Sequence, residues 1–168
     1  MSETRRLEVR AVRQDDPLAA PLLEELAVEY STRYEHSFEE QYESLVGYPE
    51  DRFAPPDGAL IVLVEDGVPV AGGAFQRYDE NTAELKRIWT SKDHRRRGLG
   101  RIVVAELEAE ALRRGYTRIY LTTGWRQPEA VALYLAAGYT ALFDSRRPAE
   151  EIGPHPFEKF LVGKAVSA

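Results

Sequence analysis

The stretch running from Ser91 to Gly115, SKDHRRRGLGRIVVAELEAEALRRG, decides how this chain is read. Arg95, Arg96 and Arg97 run straight into Gly98, Leu99 and Gly100, and a helical pattern begins at once. Leu99, Ile102, Val103, Leu107 and Ala111 recur at helical spacing, with Arg101, Glu106, Glu108, Glu110 and Arg113 on the other faces. Gly115 is a natural stop. A helix start leaves backbone N–H groups without partners and carries the positive end of the macrodipole, so a turn that exposes them is an anion site. Here two glycines clear side chains from the approach, and the arginines add charged donors suited to phosphate oxygens. The equipment fits a pyrophosphate.

Upstream of this stretch the pattern is β-rich. LEVRAVR alternates Leu7, Val9 and Ala11 against Glu8 and Arg10, and predicts an opening strand. DDPLAAPLLEELAVEYSTRYE has helical spacing through Leu22, Leu23, Leu26 and Tyr30, with Asp16 before Pro17 at its start, and a shorter helix is expected near Phe38 to Leu45. ALIVLVEDGVPVAGGAFQRY holds two strands about Glu65, Asp66 and Gly67, the strongest hairpin signal in the chain. In TAELKRIWT, Ala83 and Leu85 alternate correctly, but the next aliphatic residue is Ile88. The slip between Lys86 and Ile88 fits either a β-bulge or burial on both faces. Downstream, YTRIYLTT reads as a strand, QPEAVALYLAAG as a helix, YTALF as a strand, and FEKFLV as a closing strand after the loop DSRRPAEEIGPHP. Antiparallel strands followed by crossover helices imply an α/β fold with a mixed sheet.

The totals narrow the chemistry. At 168 residues the chain is expected to be one domain, 1–168, with a core sufficient for independent folding. It has no cysteine, which excludes disulfides, thiolate metal sites and an acyl-cysteine intermediate; His36, His94 and His155 are too scattered for a metal cluster, so no metal is expected. The opening residues lack an apolar signal region, and no segment reaches the roughly 18 apolar residues of a membrane span, so a cytoplasmic chain with no membrane partner is expected. A net charge of −6 repels polyanions, so the arginines are expected to bind a compact anion rather than a nucleic acid.

Two nucleotide signatures fail at the loop. A P-loop needs Lys and Ser/Thr after its second glycine, where this chain has Arg101 and Ile102, and a dinucleotide fingerprint needs a third glycine where Val103 stands. RRRGLG instead resembles the R/Q-x-x-G-x-G/A acyl-CoA loop of the GNAT N-acetyltransferase superfamily. AELKRIWTSKDHRRRGLG is similar to that family's fourth strand running into the loop, and LTTGWRQPEAVALYLAAGYTAL to its fifth strand, fourth helix and sixth strand. The specific likeness covers about Thr82 to Leu142.

The resemblance implies a GNAT fold in which strands four and five splay into a V, and acetyl-CoA as co-substrate. It implies that the backbone of Ile88, Trp89 and Thr90 meets the pantetheine arm, and that Arg95, Arg96, Arg97, Gly98, Leu99, Gly100 and Arg101 surround the pyrophosphate. Gln127 stands where many members have Asn and is expected to bond the arm. An alkylammonium with a pKa of about 10.4 is deprotonated on the order of one part in a thousand at neutral pH, so a base is needed. The resemblance places Glu84 in that role and Tyr134 as the acid that protonates the departing thiolate. Without a cysteine nucleophile, direct attack by a primary amine in a ternary complex is expected.

The acceptor is the open part of this reading. Glu29, Tyr30, Tyr34, Glu35, Glu39, Glu40, Tyr42 and Glu43 would suit a cationic small-molecule amine, with Tyr30, Tyr34 and Glu35 as candidate contacts, or else form a solvated acidic face. A protein lysine or N-terminal amine is an alternative acceptor, and a non-catalytic acyl-CoA-binding module is an alternative function. The family's frequent homodimers make a dimer a possible state.

Overall fold

The structure is a computed structural model, and it describes residues 7–34, 37–124, 127–144 and 146–161, with Tyr34, Glu50 and Ala149 described as backbone only. The elements run β1 (Leu7–Ala11), α1 (Ala20–Tyr34), α2 (Phe38–Val46), β2 (Ala59–Glu65), β3 (Val68–Arg77), β4 (Thr82–Thr90), α3 (Leu99–Arg113), β5 (Arg118–Thr123), α4 (Pro128–Ala136), β6 (Thr140–Ala141), α5 (Ala149–Ile152) and β7 (His155–Phe160). The seven strands form one sheet in the order β1-β2-β3-β4-β5-β7-β6. Only β4 and β5 are parallel; every other pairing is antiparallel. The expected mixed α/β sheet is therefore observed.

Helices cover both faces, and the strands at the centre show why. All seven residues of β2 are buried, because alternate side chains enter two different cores. Ile61 and Leu63 join Phe75, Leu85, Val103, Leu107, Ile119 and Tyr134 on the α3 and α4 side. Leu60, Ala74 and Trp89 join Leu22, Leu23, Leu26 and Leu45 on the α1 and α2 side. Each fully buried aliphatic side chain in these layers contributes about 1.5–3 kcal/mol of transfer free energy.

Two local expectations are met in detail. Asp66 and Gly67 both take left-handed backbone, with φ of 51° and 81°, which is the twist-matched turn of a two-residue hairpin. The slipped pattern in β4 is a β-bulge. Gly72 pairs Trp89 and Ala74 pairs Lys86, so Gly73 alone stands against Arg87 and Ile88, and Arg87 has a φ of 63°. Other expectations need adjustment. The segment before the last strand contains α5, β6 is only two residues long, and β7 begins at His155 and lies between β5 and β6.

The feature that positions the site is where β4 and β5 part. They pair only at Thr82–Arg118, Ala83–Ile119 and Glu84–Tyr120. Beyond Glu84, β4 continues along β3 to Thr90, while β5 continues along β7 to Thr123. A wedge opens in the middle of the sheet, beside the bulge.

Candidate active site

A cavity of about 930 Å³ occupies this wedge. Leu85 to Thr90 of β4 form one wall, and Thr122, Thr123 and Gly124 at the end of β5 form the other. Ala130, Leu133 and Tyr134 of α4 close one side, and the start of α3 opens at one end. Of the sequence-predicted residues, Ile88, Trp89, Thr90, Arg95, Arg96, Gly98, Leu99, Gly100, Arg101, Gln127, Tyr134 and Tyr30 all line it.

The α3 entry has the features of an anion site. Gly98 is the N-cap residue, with φ 74° and ψ 14°, and it offers no side-chain acceptor to the first-turn N–H groups. No acidic residue lies in that first turn. A methyl group on Gly98, which lines the cavity, would meet no atom beyond its chain neighbours within 4 Å, so the space beside this backbone is open. Five described arginines, Arg52, Arg87, Arg95, Arg96 and Arg101, have no carboxylate partner among the described residues, and all except Arg52 line the cavity. Cations left without internal counter-ions at an uncapped helix start fit a bound phosphate.

Arg97 is placed differently. It does not line the cavity; its guanidinium grips both carboxylate oxygens of buried Glu65, at 3.2 and 2.5 Å. The hydrogen bond to Glu65 raises the guanidinium above its ordinary pKa. The sequence reading missed Glu65, which fastens the loop before α3 to the end of β2.

Trp89 is buried among the α1-side core residues and donates its indole N–H to Glu25 at 3.1 Å. Its side chain is thus committed to α1. Gln127 uses Oε1 to accept from the Gly124 N–H at 3.0 Å and from the Thr123 hydroxyl at 3.4 Å, bracing the turn between β5 and α4. Tyr134 is 5% exposed, its ring edge-on to Tyr139 at 5.6 Å. Burial pushes its hydroxyl pKa well up, and the nearby Tyr30 phenol adds to this, so the group is a proton donor at any ordinary pH. No other described residue takes a hydrogen bond from it.

Glu84 stands at the last β4–β5 pair, at the apex of the wedge, and does not itself line the cavity. Its Oε1 accepts from Gln76 at 2.9 Å, Gln76 in turn accepts from the Tyr48 hydroxyl at 2.6 Å, and Lys86 Nζ lies 3.9 Å from Oε2. Lys86 does line the cavity.

Of the acidic residues singled out on α1 and α2, Glu29 is the described one that lines the cavity, beside Tyr30. Glu39, Glu40 and Glu43 are exposed on α2, and Glu35 and the Tyr34 side chain lie outside the described residues. Glu29 reaches the cavity but pairs with Arg33 at 3.3 Å, and Arg33 also engages Glu129 across from α4. Arg87, which the sequence did not single out as a site residue, also lines the cavity. Among the described residues, no group of three or more His, Asp or Glu could hold a metal ion, and no helix is long and apolar enough to cross a membrane.

Comparison with known proteins agrees with this geometry. Residues 20–139 match the acetyltransferase (GNAT) family. The IAA acetyltransferase of Azospirillum brasilense is 31% identical over 109 residues, covering 64% of this chain and 69% of that protein. The fold is shared with a GNAT-family acetyltransferase from Staphylococcus aureus, at TM-score 0.73 and 14% identity, over 94% of this chain and 100% of that one. It is shared also with PaiA N-acetyltransferase from Thermoplasma acidophilum, solved in complex with coenzyme A, at TM-score 0.65 and 17% identity, over 92% and 99% of the two chains. A family match spanning most of the chain, on a sheet parted between β4 and β5 with a helix that begins at Gly98 without a side-chain cap at its mouth, identifies this chain as a member of the GNAT acetyltransferase family.

Proposed function

We propose that the chain transfers an acetyl group from acetyl-CoA to the primary amine of a small molecule, by direct attack with both substrates bound. The observation that carries this is the α3 start without a side-chain cap, where Arg95, Arg96 and Arg101, none with a carboxylate partner among the described residues, open onto the cavity. Acetyl-CoA supplies the activated acetyl thioester. The first-turn N–H groups of α3 and these arginines hold its pyrophosphate, and Arg97 positions the loop through Glu65. The β4 backbone on the open side of the wedge, at Ile88, Trp89 and Thr90, bonds the pantetheine arm and orients the acyl carbonyl.

Glu84 accepts the ammonium proton of the acceptor through water, its carboxylate aimed by Gln76 and Tyr48. Tyr134, kept protonated by burial, gives its proton to the departing sulfur. The buried rings of Tyr139 and Phe157 hold the Tyr134 ring in place.

The first test is calorimetric titration with acetyl-CoA, with dephospho-CoA and a duplex oligonucleotide as controls, followed by CoA-release assays with amines. Acetyl-CoA binding with amine-dependent CoA release is the expected result; absence of binding refutes the proposal. The position of Glu84 outside the cavity lining favours, as a second reading, an acyl-CoA-binding module that transfers nothing. Binding without CoA release to any amine would select it.

A further inference from the structure

Arg87 is a cation that the cofactor half of the site does not use. It sits on the β4 bulge in left-handed backbone, at φ 63°, a conformation costly for a long side chain. Its guanidinium turns to the α1 and α2 side of the sheet, over the rings of Tyr48 at 5.3 Å and Phe53 at 5.5 Å. One hydrogen bond, from Nη2 to the Leu45 carbonyl at 3.0 Å, ties it to the end of α2. Its Nε is buried with no acceptor, and Arg87 forms no ion pair with a carboxylate among the described residues.

The neighbouring charges are arranged otherwise. Lys86 has Glu84, and Arg33 stands between Glu29 and Glu129. Arg95, Arg96 and Arg101 belong to the α3 start, at the other end of the wedge wall. A largely desolvated guanidinium without a counter-ion is unfavourable, and its natural complement is an anion arriving with the ligand. The platform beneath it leads to the proposed base: Tyr48, under the guanidinium, bonds Gln76, which bonds Glu84. A molecule with an anionic end on Arg87 would therefore present its other end to the side of β4 that carries Glu84.

We propose that the acceptor is an amino carboxylate whose carboxylate is held by Arg87 while its amine faces the Glu84 side of the cavity. This rests on the transferase reading given above. It replaces the cationic amine that the acidic residues of α1 and α2 suggest in sequence, because the described carboxylates among them are exposed or already paired. Burial lowers the Arg87 pKa, in keeping with a charge in need of a partner.

The test compares CoA release, at saturating acetyl-CoA, for a panel of L-amino acids and ω-amino acids against the decarboxylated amine of each. The best amino carboxylate is expected to exceed its decarboxylated counterpart at least tenfold in kcat/KM. Arg87→Met is expected to raise KM for the carboxylate at least tenfold and to change KM for the plain amine little, with Arg87→Lys recovering part of the loss. An arginine serving only to hold α2 would shift both substrates alike. Equal or faster acetylation of the decarboxylated amines, or acetylation of no amino carboxylate in the panel, overturns the proposal. Should Arg87→Met fail to fold, the paired-substrate comparison on the unaltered chain still decides. Acetyl-CoA titration of the same sample separates the two failures: a protein that binds acetyl-CoA and prefers plain amines loses only this proposal, whereas one that does not bind it loses the transferase reading and this proposal together.

Discussion

Gly98→Ala separates the backbone role of this glycine from its role as an open approach. Gly98 has a φ of 74°, and an added methyl would touch no protein atom within 4 Å. Its folding cost is therefore only that of a left-handed alanine, about 1–2 kcal/mol. For a chain of this size that lowers Tm by roughly 2–8 °C. On the binding mode proposed above, the ligand side is affected far more, because the methyl would stand where the pyrophosphate approaches the first-turn N–H groups. Displacing two charge-assisted hydrogen bonds, each worth about 1.5–3 kcal/mol, removes roughly 3–6 kcal/mol, or about 10²–10⁴-fold in Kd. Gly115→Ala is the matched control. Its φ is 95°, a methyl there also meets nothing within 4 Å, and it lies past the opposite end of α3. Thermal melts and calorimetric titration with acetyl-CoA on both variants give the answer. Similar drops in Tm with affinity lost only at Gly98 are expected. Unchanged affinity in Gly98→Ala, or equal loss in Gly115→Ala, would refute the anion cradle.

Tyr134→Phe removes a hydroxyl that bonds no other described residue while keeping the ring contacts with Tyr139 and Phe157, so acetyl-CoA affinity and Tm should hold while kcat falls about 10²–10⁴-fold; steady-state kinetics with full turnover would remove Tyr134 from the chemistry. Glu65→Gln weakens the grip on Arg97, read as a lower Tm together with weaker acetyl-CoA binding by calorimetry. A lower Tm with unaltered affinity would mean that the pair only stabilises the fold. The Tyr134 and Tyr139 hydroxyls are both raised by burial above the ordinary value near 10. Below about pH 10 both the folded and unfolded states keep these protons, and above it the unfolded chain releases them first, so stability should decline with rising pH from there. Urea midpoints across pH 8 to 11 check this, and replacing both tyrosines with Phe should flatten the decline.

What the sequence made legible was local. The RRRGLG loop, the Asp66–Gly67 hairpin and the slip at Ile88 are written in neighbouring residues, since turn chemistry and side-chain period act over a few positions. The parting of β4 from β5 was reached through the resemblance, and the slipped register agreed with it. What stayed hidden depends on partners far along the chain. Arg97 reads like its neighbours Arg95 and Arg96, and only the packing of the hairpin brings Glu65, 32 positions away, beneath it. The bulge was visible, but not that Arg87 would turn toward Tyr48 and Phe53. The acidic residues of α1 and α2 looked like a lining because composition does not record which face a helix turns to the cavity. The insertion of β7 between β5 and β6 likewise leaves no trace in element order.

The parted sheet also has a mechanical meaning. Three residue pairs near Glu84 stitch β1–β4 to β5, β7 and β6, and beyond them the seam is open. In an intact sheet, backbone groups along such a seam would satisfy one another; here β4 and β5 make no such pairs with each other beyond Glu84 and Tyr120. An extended ligand with amide groups of its own would act as an interposed strand, completing the sheet through its middle rather than at its rim. Occupancy would then be felt as stiffness: the two halves should exchange amide hydrogens more slowly along β4 and β5 once the seam is filled, so that the substrate is also a temporary part of the fold.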